Sequence, residues 1–324
     1  MEYRSAKGFN GWGQLGVLLA CLGAGFILTE FSTVLLGLKM LGPSAMPFHE
    51  KLLIMEKAFF KPENSNYAQF AQFFAVLFLL FLPSIAFILI CHKDLAWAGF
   101  SKHFTLLQIV VGAIIIFATS PFAEPFADLS KLVLSHFPHW DLLAKNAEDE
   151  YNQAVQSMTA LTSWSQFFMG VFIIAFLPAM FEELFFRGVL QNLLVRWWKM
   201  PLLAIIVTSI LFSLAHSSYY LFLTRIILGF VLGLLYYYSK NIWVNIFAHF
   251  MNNLMALIQV FYINTTTKKI VPIDDMDSKM PYWSLIITFT ILAALFIWFK
   301  RISEENGKKI KLEEAELEEQ NYIN

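Results

Sequence analysis

Long apolar segments constrain the fold of this chain more than any other feature of its sequence. Hydrophobic residues fill 58% of the 324 positions and charged residues only 15%, whereas a soluble domain carries about 25% charged residues. About eight segments approach the roughly 20 residues that an α-helix needs to cross a bilayer. The sequence therefore predicts an all-α, polytopic membrane protein of about eight transmembrane helices. The predicted spans are residues 12–38, 67–91, 104–122, 164–190, 200–217, 219–238, 241–262 and 282–299.

The segments between and within the spans give further expectations. Gly16, Ala20 and Ala24 follow one another at four-residue spacing in the first span, which favours close contact with another helix. Two connections are long, 39–66 and 123–163, and the second contains a stretch that is typical of an interfacial amphipathic helix. Lys and Arg residues near the span ends favour N- and C-termini on the cytoplasmic side. We expect the protein to lie in the plasma membrane.

Ionisable residues inside the predicted fourth span indicate a functional site, because such residues are costly in hydrocarbon. Glu182, Glu183 and Arg187 occur within six positions, after a stretch without charge or histidine that begins at Tyr151. Glu183 and Arg187 are four residues apart with the acid first, which favours a helical ion pair. Glu182 points about 100° away, so we expect it to face a cavity, where a carboxylate can serve as a general base.

Histidines in two later spans can join this site. A tight turn between the fourth and fifth spans would place Glu182 and His216 at nearly equal depth. His249 and Asn253 lie on one face of the seventh span and can donate hydrogen bonds to a negative oxygen. Regular helices would leave His249 roughly 12 Å below His216, so a common site needs a tilted helix or a break at Ser217.

Taken together, these residues resemble the motifs of the CPBP family of membrane proteases, also called the type II CAAX prenyl endopeptidase or Abi family. The resemblance covers about residues 164–260. It predicts a division into N-terminal helices and connecting segments (1–163), a catalytic core (164–262) and a last helix with a charged tail (263–324). The matching motifs are Glu182-Glu183-x-x-x-Arg187, Phe212-x-x-x-His216 and His249-x-x-x-Asn253.

The resemblance implies a function and a role for each residue. The chain would be an intramembrane endopeptidase that hydrolyses a peptide bond of a membrane-associated substrate, with lipid and that peptide as partners and no nucleic acid. The substrate stays open between a CAAX-like peptide and, for a bacterial protein, a peptide pheromone, a bacteriocin or a membrane protein. Glu182 would activate a water with help from His216, while His249 and Asn253 would hold the oxyanion. The Glu183–Arg187 pair would orient the helix.

Other interpretations stay open at this stage. The Glu183–Arg187 pair can be a buried pair that fixes packing, and each histidine can be an interhelical hydrogen-bonding residue. Glu182, His216 and His249 could also ligate zinc with one position left for water, although we favour chemistry without a cofactor. Alternative functions are a proton-coupled transporter and a non-catalytic, bacteriocin-immunity-type membrane protein.

Overall fold

The computed structural model describes residues 3–43, 46–270 and 280–323. Within these ranges we distinguish eleven helices in chain order. They are α1 Gly11–Leu41, α2 Phe48–Phe59, α3 Pro62–Cys91, α4 Leu106–Ala123, α5 Pro125–Ser135, α6 Pro138–Met158, α7 Trp164–Trp198, α8 Pro201–Leu214, α9 Phe222–Ser239, α10 Ile242–Thr267 and α11 Ser284–Ile323.

Most of these helices belong to segments that can cross a membrane. In the described part of the chain, seven segments are long and apolar enough: α1, α3, α4 with α5, α7, α9, α10 and α11. The predicted fifth span is α8, an apolar helix of 14 residues. Its length of about 21 Å is less than the hydrocarbon thickness of about 30 Å. The prediction of an all-α polytopic membrane protein is confirmed, and its fifth span is a short helix.

The small-residue stripe of α1 does not make the contact that its spacing predicts. Gly16, Ala20 and Ala24 are exposed, and nothing lies within 4 Å of a Cβ placed on Gly16. The close approach occurs at Gly25, where the backbone of Phe78 in α3 leaves no room for a Cβ. The prediction was wrong about which face of α1 packs closely. The close contact is made by Gly25, a single small residue that the four-residue pattern does not include.

Helix α7 changes geometry around its ionisable residues. Two stretches of π-helix, Val171–Phe176 and Leu184–Gln191, enclose the α-helical stretch Leu177–Glu183. Pro178 cannot donate a backbone hydrogen bond, and a wide turn before it accommodates that loss. The second π stretch begins directly after Glu183, so the residues that follow it are rotated relative to a regular α-helix. Such π segments are frequent at functional sites.

The long connections and the tail are also helical. The predicted interfacial helix corresponds to α5, and α6 follows it within the connection 123–163. The helix of the last span, α11, continues through the charged tail. Gln108 of α4 donates to Ser303 at 3.1 Å and accepts from Asn306 at 2.6 Å, so the first turns of this tail pack against the bundle.

Candidate active site

A fully buried network surrounds Glu183. Arg187 Nη1 donates to Glu183 Oε1 at 2.7 Å, as the four-residue spacing predicts, and Asn245 Nδ2 donates to Oε2 at 3.1 Å. His249 Nδ1 lies 2.8 Å from Oε1. The second guanidinium nitrogen, Arg187 Nη2, donates to the carbonyl of Gly229 at 3.1 Å. A buried charge is tolerated when it is paired and hydrogen-bonded, and here the carboxylate receives three donors from two helices.

Glu182 has a different environment from its neighbour. Its side chain keeps 12% exposure and forms no hydrogen bond with a described residue. Its Oε2 atom lies 3.8 Å from His216 Nε2 and 3.8 Å from His249 Nε2. Each gap is too long for a direct hydrogen bond but is one that a water can bridge. The structure thus brings Glu182, His216 and His249 together around one small volume.

Both imidazoles direct Nε2 to this volume because Nδ1 is engaged elsewhere. His216 Nδ1 lies 2.7 Å from the carbonyl of Phe212, and a carbonyl can only accept, so Nδ1 carries the proton. His249 Nδ1 donates in the same way to the carboxylate of Glu183. In their neutral forms both rings therefore present a lone pair at Nε2, which can accept a proton or bind a donor.

Two features bring His249 to the depth of His216. Asn245, three residues into α10, donates at 2.7 Å to the carbonyl of Leu232, seven residues before the end of α9. In a symmetric hairpin, residues at equal distances from the turn would face each other. Here the two distances differ by four residues, so α10 is displaced along the bundle by about 6 Å. Helix α8 ends at Leu214, and the ring of His216 folds back to its own helix. The expected break is present, with Ser217 at a φ of 54°.

Asn253 lies on the same face of α10 as His249 but makes a different contact. Its Nδ2 atom lies 3.4 Å from the carbonyl of Ala175, two turns before Glu182 on α7. Its side chain is half-buried. The structure therefore places Asn253 one turn beyond the two histidines, and its predicted role in holding an oxyanion stays a prediction.

The loop that carries His216 is held from outside by the long connection. Ser218 donates to Glu148 of α6 at 2.7 Å, and Tyr220 donates to Asp141 of α6 at 3.1 Å. These bonds fix a non-helical segment between α8 and α9. The connection 123–163, whose role could not be predicted from the sequence, thus supports one wall of the site.

Two residues of this region were missed by the sequence analysis. Asn245 precedes His249 by one helical turn, so the spacing of Asn245, His249 and Asn253 offered a signal. Arg225 is a charged residue within the predicted span 219–238 and offered the same signal as Glu182. Its side chain is 9% exposed and its guanidinium lies 4.6 Å from the ring centroid of Tyr151.

The arrangement fits a bridging water more closely than a metal ion. Among the residues that the structure describes, no group of three His, Cys, Asp or Glu side chains has the geometry of a metal site. Ligand atoms around tetrahedral zinc lie about 3.3 Å apart, which is closer than the 3.8 Å that separates Glu182 from each imidazole. We therefore derive no reaction step through a metal.

Comparison with known families finds a match over the segment that contains the site. Residues 164–255 match the family described as type II CAAX prenyl endopeptidase, Rce1-like. All three motifs lie inside that segment, which is less than a third of the chain. The match confirms the resemblance to the CPBP family over this part of the protein. No curated protein and no solved structure matches the chain.

Proposed function

We propose that this multi-pass integral membrane protein is an intramembrane endopeptidase that cleaves a membrane-associated peptide by means of a water activated by Glu182. The match to the CAAX-type endopeptidases supports the reaction class. The observation that carries the mechanism is the position of Glu182 Oε2, which is 3.8 Å from the Nε2 atoms of both His216 and His249. A carboxylate without a resident cation, next to two imidazoles, is suited to general base catalysis.

In this mechanism one proton passes from the water through Glu182 to the leaving nitrogen. A water held by Glu182 and His216 gives a proton to the Glu182 carboxylate while its oxygen attacks the peptide carbonyl carbon. The carbonyl oxygen becomes an oxyanion in the tetrahedral intermediate. The C–N bond then breaks, and the proton held by Glu182 passes to the leaving nitrogen. One water is consumed, and a carboxylic acid and an amine are released.

In this proposal His249 stabilises the oxyanion. Its Nδ1 atom is held by Glu183, so Nε2 is the ring nitrogen that would donate to the oxyanion. The Nε2–H group would then point to the volume in front of Glu182. Fixed donors of this kind contribute about 10²–10³ in kcat. Asn253 would add a second donor after a shift away from Ala175.

The proposal also includes an orientation and a substrate class. The distribution of Lys and Arg favours cytoplasmic termini, so the open end of α8 and the loop after it would face the outer half of the membrane. A CAAX-like substrate, with a lipid-modified cysteine, would approach from the bilayer.

The test compares Glu182→Gln with the wild-type protein, purified in detergent. Two fluorogenic peptide libraries serve as substrates, one with an S-farnesyl cysteine and one with an unmodified cysteine. We expect Glu182→Gln to lower the rate by at least about 10²-fold, because general base catalysis contributes 10²–10⁴-fold. Thermal melting should stay unchanged, since Gln has nearly the same shape and the two imidazoles at 3.8 Å make no direct hydrogen bond with Glu182.

The matched control is Glu30→Gln, which removes a carboxylate from α1, outside the site. This variant should cleave at the wild-type rate. Retained activity of Glu182→Gln would exclude Glu182 as the base, and a wild-type protein that cleaves neither library would contradict the proposed function.

A chelator experiment separates the two forms of water activation. Metal-free chemistry predicts that purified protein keeps its full rate after incubation with 1,10-phenanthroline, about 10 mM, and that zinc is far below one equivalent in elemental analysis. Loss of activity that zinc restores would instead assign Glu182, His216 and His249 as metal ligands.

A further inference from the structure

The turn that follows His216 contains a backbone conformation that serine rarely adopts. Ser217 has a φ of 54°. In this left-handed region the Cβ of an L-residue crowds the following carbonyl oxygen, at a cost of about 1–2 kcal/mol. Such a conformation persists only where the surrounding structure holds it in place. The contacts of the residues next to Ser217 therefore decide whether the turn after α8 keeps its shape.

Glu148 of α6 holds this turn through Ser218, the residue after Ser217. The Ser218 hydroxyl donates to Glu148 Oε2 at 2.7 Å and accepts from the backbone N–H of Leu221 at 3.3 Å. Glu148 is 8% exposed and Ser218 is 3% exposed. A hydrogen bond to a carboxylate is about twice as strong as one between neutral groups. One buried hydroxyl thus connects the turn both to α6 and to the start of α9.

A second carboxylate on the same face of α6 restricts the turn further. Asp141 and Glu148 are seven residues apart, which is about two helical turns, so their side chains share one face. Asp141 accepts from the Tyr220 hydroxyl at 3.1 Å. Tyr220 is only partly buried, whereas Ser218 is buried and adjoins the left-handed residue. Of the two contacts, the one with Glu148 is therefore the better protected from water.

The shape of the turn decides where the imidazole of His216 points. In this turn the ring folds back onto α8, where Nδ1 donates to the carbonyl of Phe212 at 2.7 Å. The other ring nitrogen, Nε2, then lies 3.8 Å from Glu182 Oε2. A turn that relaxed at Ser217 would release the ring from the carbonyl and leave Nε2 without a fixed direction.

We propose that Glu148 is a positioning residue of the active site, which holds the left-handed turn through Ser218 and thereby directs His216 Nε2 to Glu182. The inference rests on the proposed endopeptidase function and adds a residue of α6 that lies outside the three sequence motifs. Glu148 acts on the reaction through Ser218 and His216. Its effect therefore falls on the rate of the chemical step and not on substrate binding.

The first experiment compares the kinetics of full-length Glu148→Ala and wild-type protein on the same peptide libraries. We expect kcat to fall by about 10- to 100-fold with KM unchanged, because a displacement of about 1 Å can cost 10²-fold. Glu148→Gln should recover most of the rate, since its side-chain oxygen can still accept from Ser218. Glu150→Ala is the matched control. Glu150 is an exposed glutamate two positions further along α6, and its loss should leave kcat at the wild-type value.

The second experiment observes His216 directly and does not depend on cleavage. Nitrogen-15 NMR of histidine-labelled protein, with the His216 signals assigned from the spectrum of His216→Gln, reports which ring nitrogen carries the proton. At a pH of about 8.5, where histidine is neutral, the wild-type ring should be protonated at Nδ1. Glu148→Ala should shift the proton towards Nε2, because the bond to the Phe212 carbonyl sets the tautomer. Glu148→Gln and Glu150→Ala should keep the wild-type tautomer.

Ser218→Ala completes the test, because it removes the hydroxyl that Glu148 accepts from. Its kcat should fall by a similar factor, and Glu148→Ala/Ser218→Ala should lose no more than either single variant. If Glu148→Ala does not fold, Ser218→Ala provides the same comparison. Losses that multiply in the double variant would overturn the proposal. A wild-type kcat in Glu148→Ala, or a lower kcat with an unchanged His216 tautomer, would do the same.

The two experiments also separate this inference from the proposed function. A wild-type protein that cleaves no peptide would contradict the endopeptidase function. The tautomer of His216 in Glu148→Ala would still show whether Glu148 directs that ring.

Discussion

Two adjacent carboxylates on α7 occupy opposite kinds of environment. Glu183 is fully buried and receives hydrogen bonds from Arg187, Asn245 and His249. Glu182 keeps partial exposure and has two imidazole nitrogens at 3.8 Å. The first carboxylate is fully buried and bound to three protein donors, while the second has no hydrogen bond with a described residue. One helix thus combines a group that holds three helices together with a group that is free for chemistry.

His249 links the two environments. Its Nδ1 atom belongs to the Glu183 network, and its Nε2 atom points to Glu182. The direction of Nε2 is therefore set by a buried ion pair. We therefore expect substitutions in the Glu183 network to lower stability, and substitutions of Glu182 to lower activity without lowering stability.

The largest expected effect is the loss of stability when the buried pair is broken. Arg187→Met removes the guanidinium and leaves the Glu183 carboxylate buried without its cation, which costs about 3–5 kcal/mol. Thermal melting and urea unfolding in detergent micelles would measure the loss. Glu182→Gln, measured in parallel, should stay within about 0.5 kcal/mol of the wild type.

A double variant shows whether charge is the cause. In Glu183→Gln/Arg187→Met both members are neutral, so the uncompensated charge disappears and much of the lost stability should return. Equal destabilisation of the single and the double variant would mean that packing around Arg187 matters more than its charge. In that case the contrast between the two carboxylates would lose its electrostatic basis.

A smaller effect is expected where α8 and α9 approach each other. A Cβ on Gly233 would lie 2.7 Å from Ile205 Cγ2 and 2.9 Å from Gln191 Oε1. Gly233→Ala should therefore lower stability by about 1–3 kcal/mol, the range for an overpacked interface. Gly16→Ala is the control, because nothing lies within 4 Å of its Cβ, and it should be neutral or slightly stabilising through higher helix propensity. Equal melting temperatures for the two variants would contradict this difference.

Much of the fold could be predicted from the sequence, because spans depend on local apolar length. The depth estimate for His249 called for a tilted helix or a break at Ser217, and that break is present. The face of α1 that packs was not predictable. Exposed Gly16 and buried Gly25 are equally small, and only the position of α3 decides which one meets a neighbour.

In the site, residue spacing predicted the side-chain contact within one helix but not the contacts between helices. The Glu183–Arg187 pair follows from a four-residue separation. The contact of His249 with both carboxylates does not, because it depends on the displacement of α10 against α9 that Asn245 and Leu232 reveal. Depth estimates from residue counts assume regular, parallel helices, and both the π stretches of α7 and this displacement violate that assumption.

The smallest effect concerns a histidine whose partner is neutral. His92 lies just beyond α3, 4% exposed, with Nε2 3.1 Å from Gln14 Oε1 and its ring stacked on Trp97. Burial, and then the positive charge of Arg196, lowers the pKa of His92 to about 3. The unfolded state binds a proton below pH of about 6.5 while the folded state does not, so stability should fall as the pH decreases from 6.5 towards 3.

Between pH 7 and pH 5.5 this linkage should cost about 1 kcal/mol. His92→Gln removes the titrating group but keeps a side chain that can donate to Gln14. The melting temperature of the wild-type protein should therefore decrease more than that of His92→Gln over this pH range. Parallel curves for the two proteins would show that His92 is protonated as readily in the folded state as in the unfolded one.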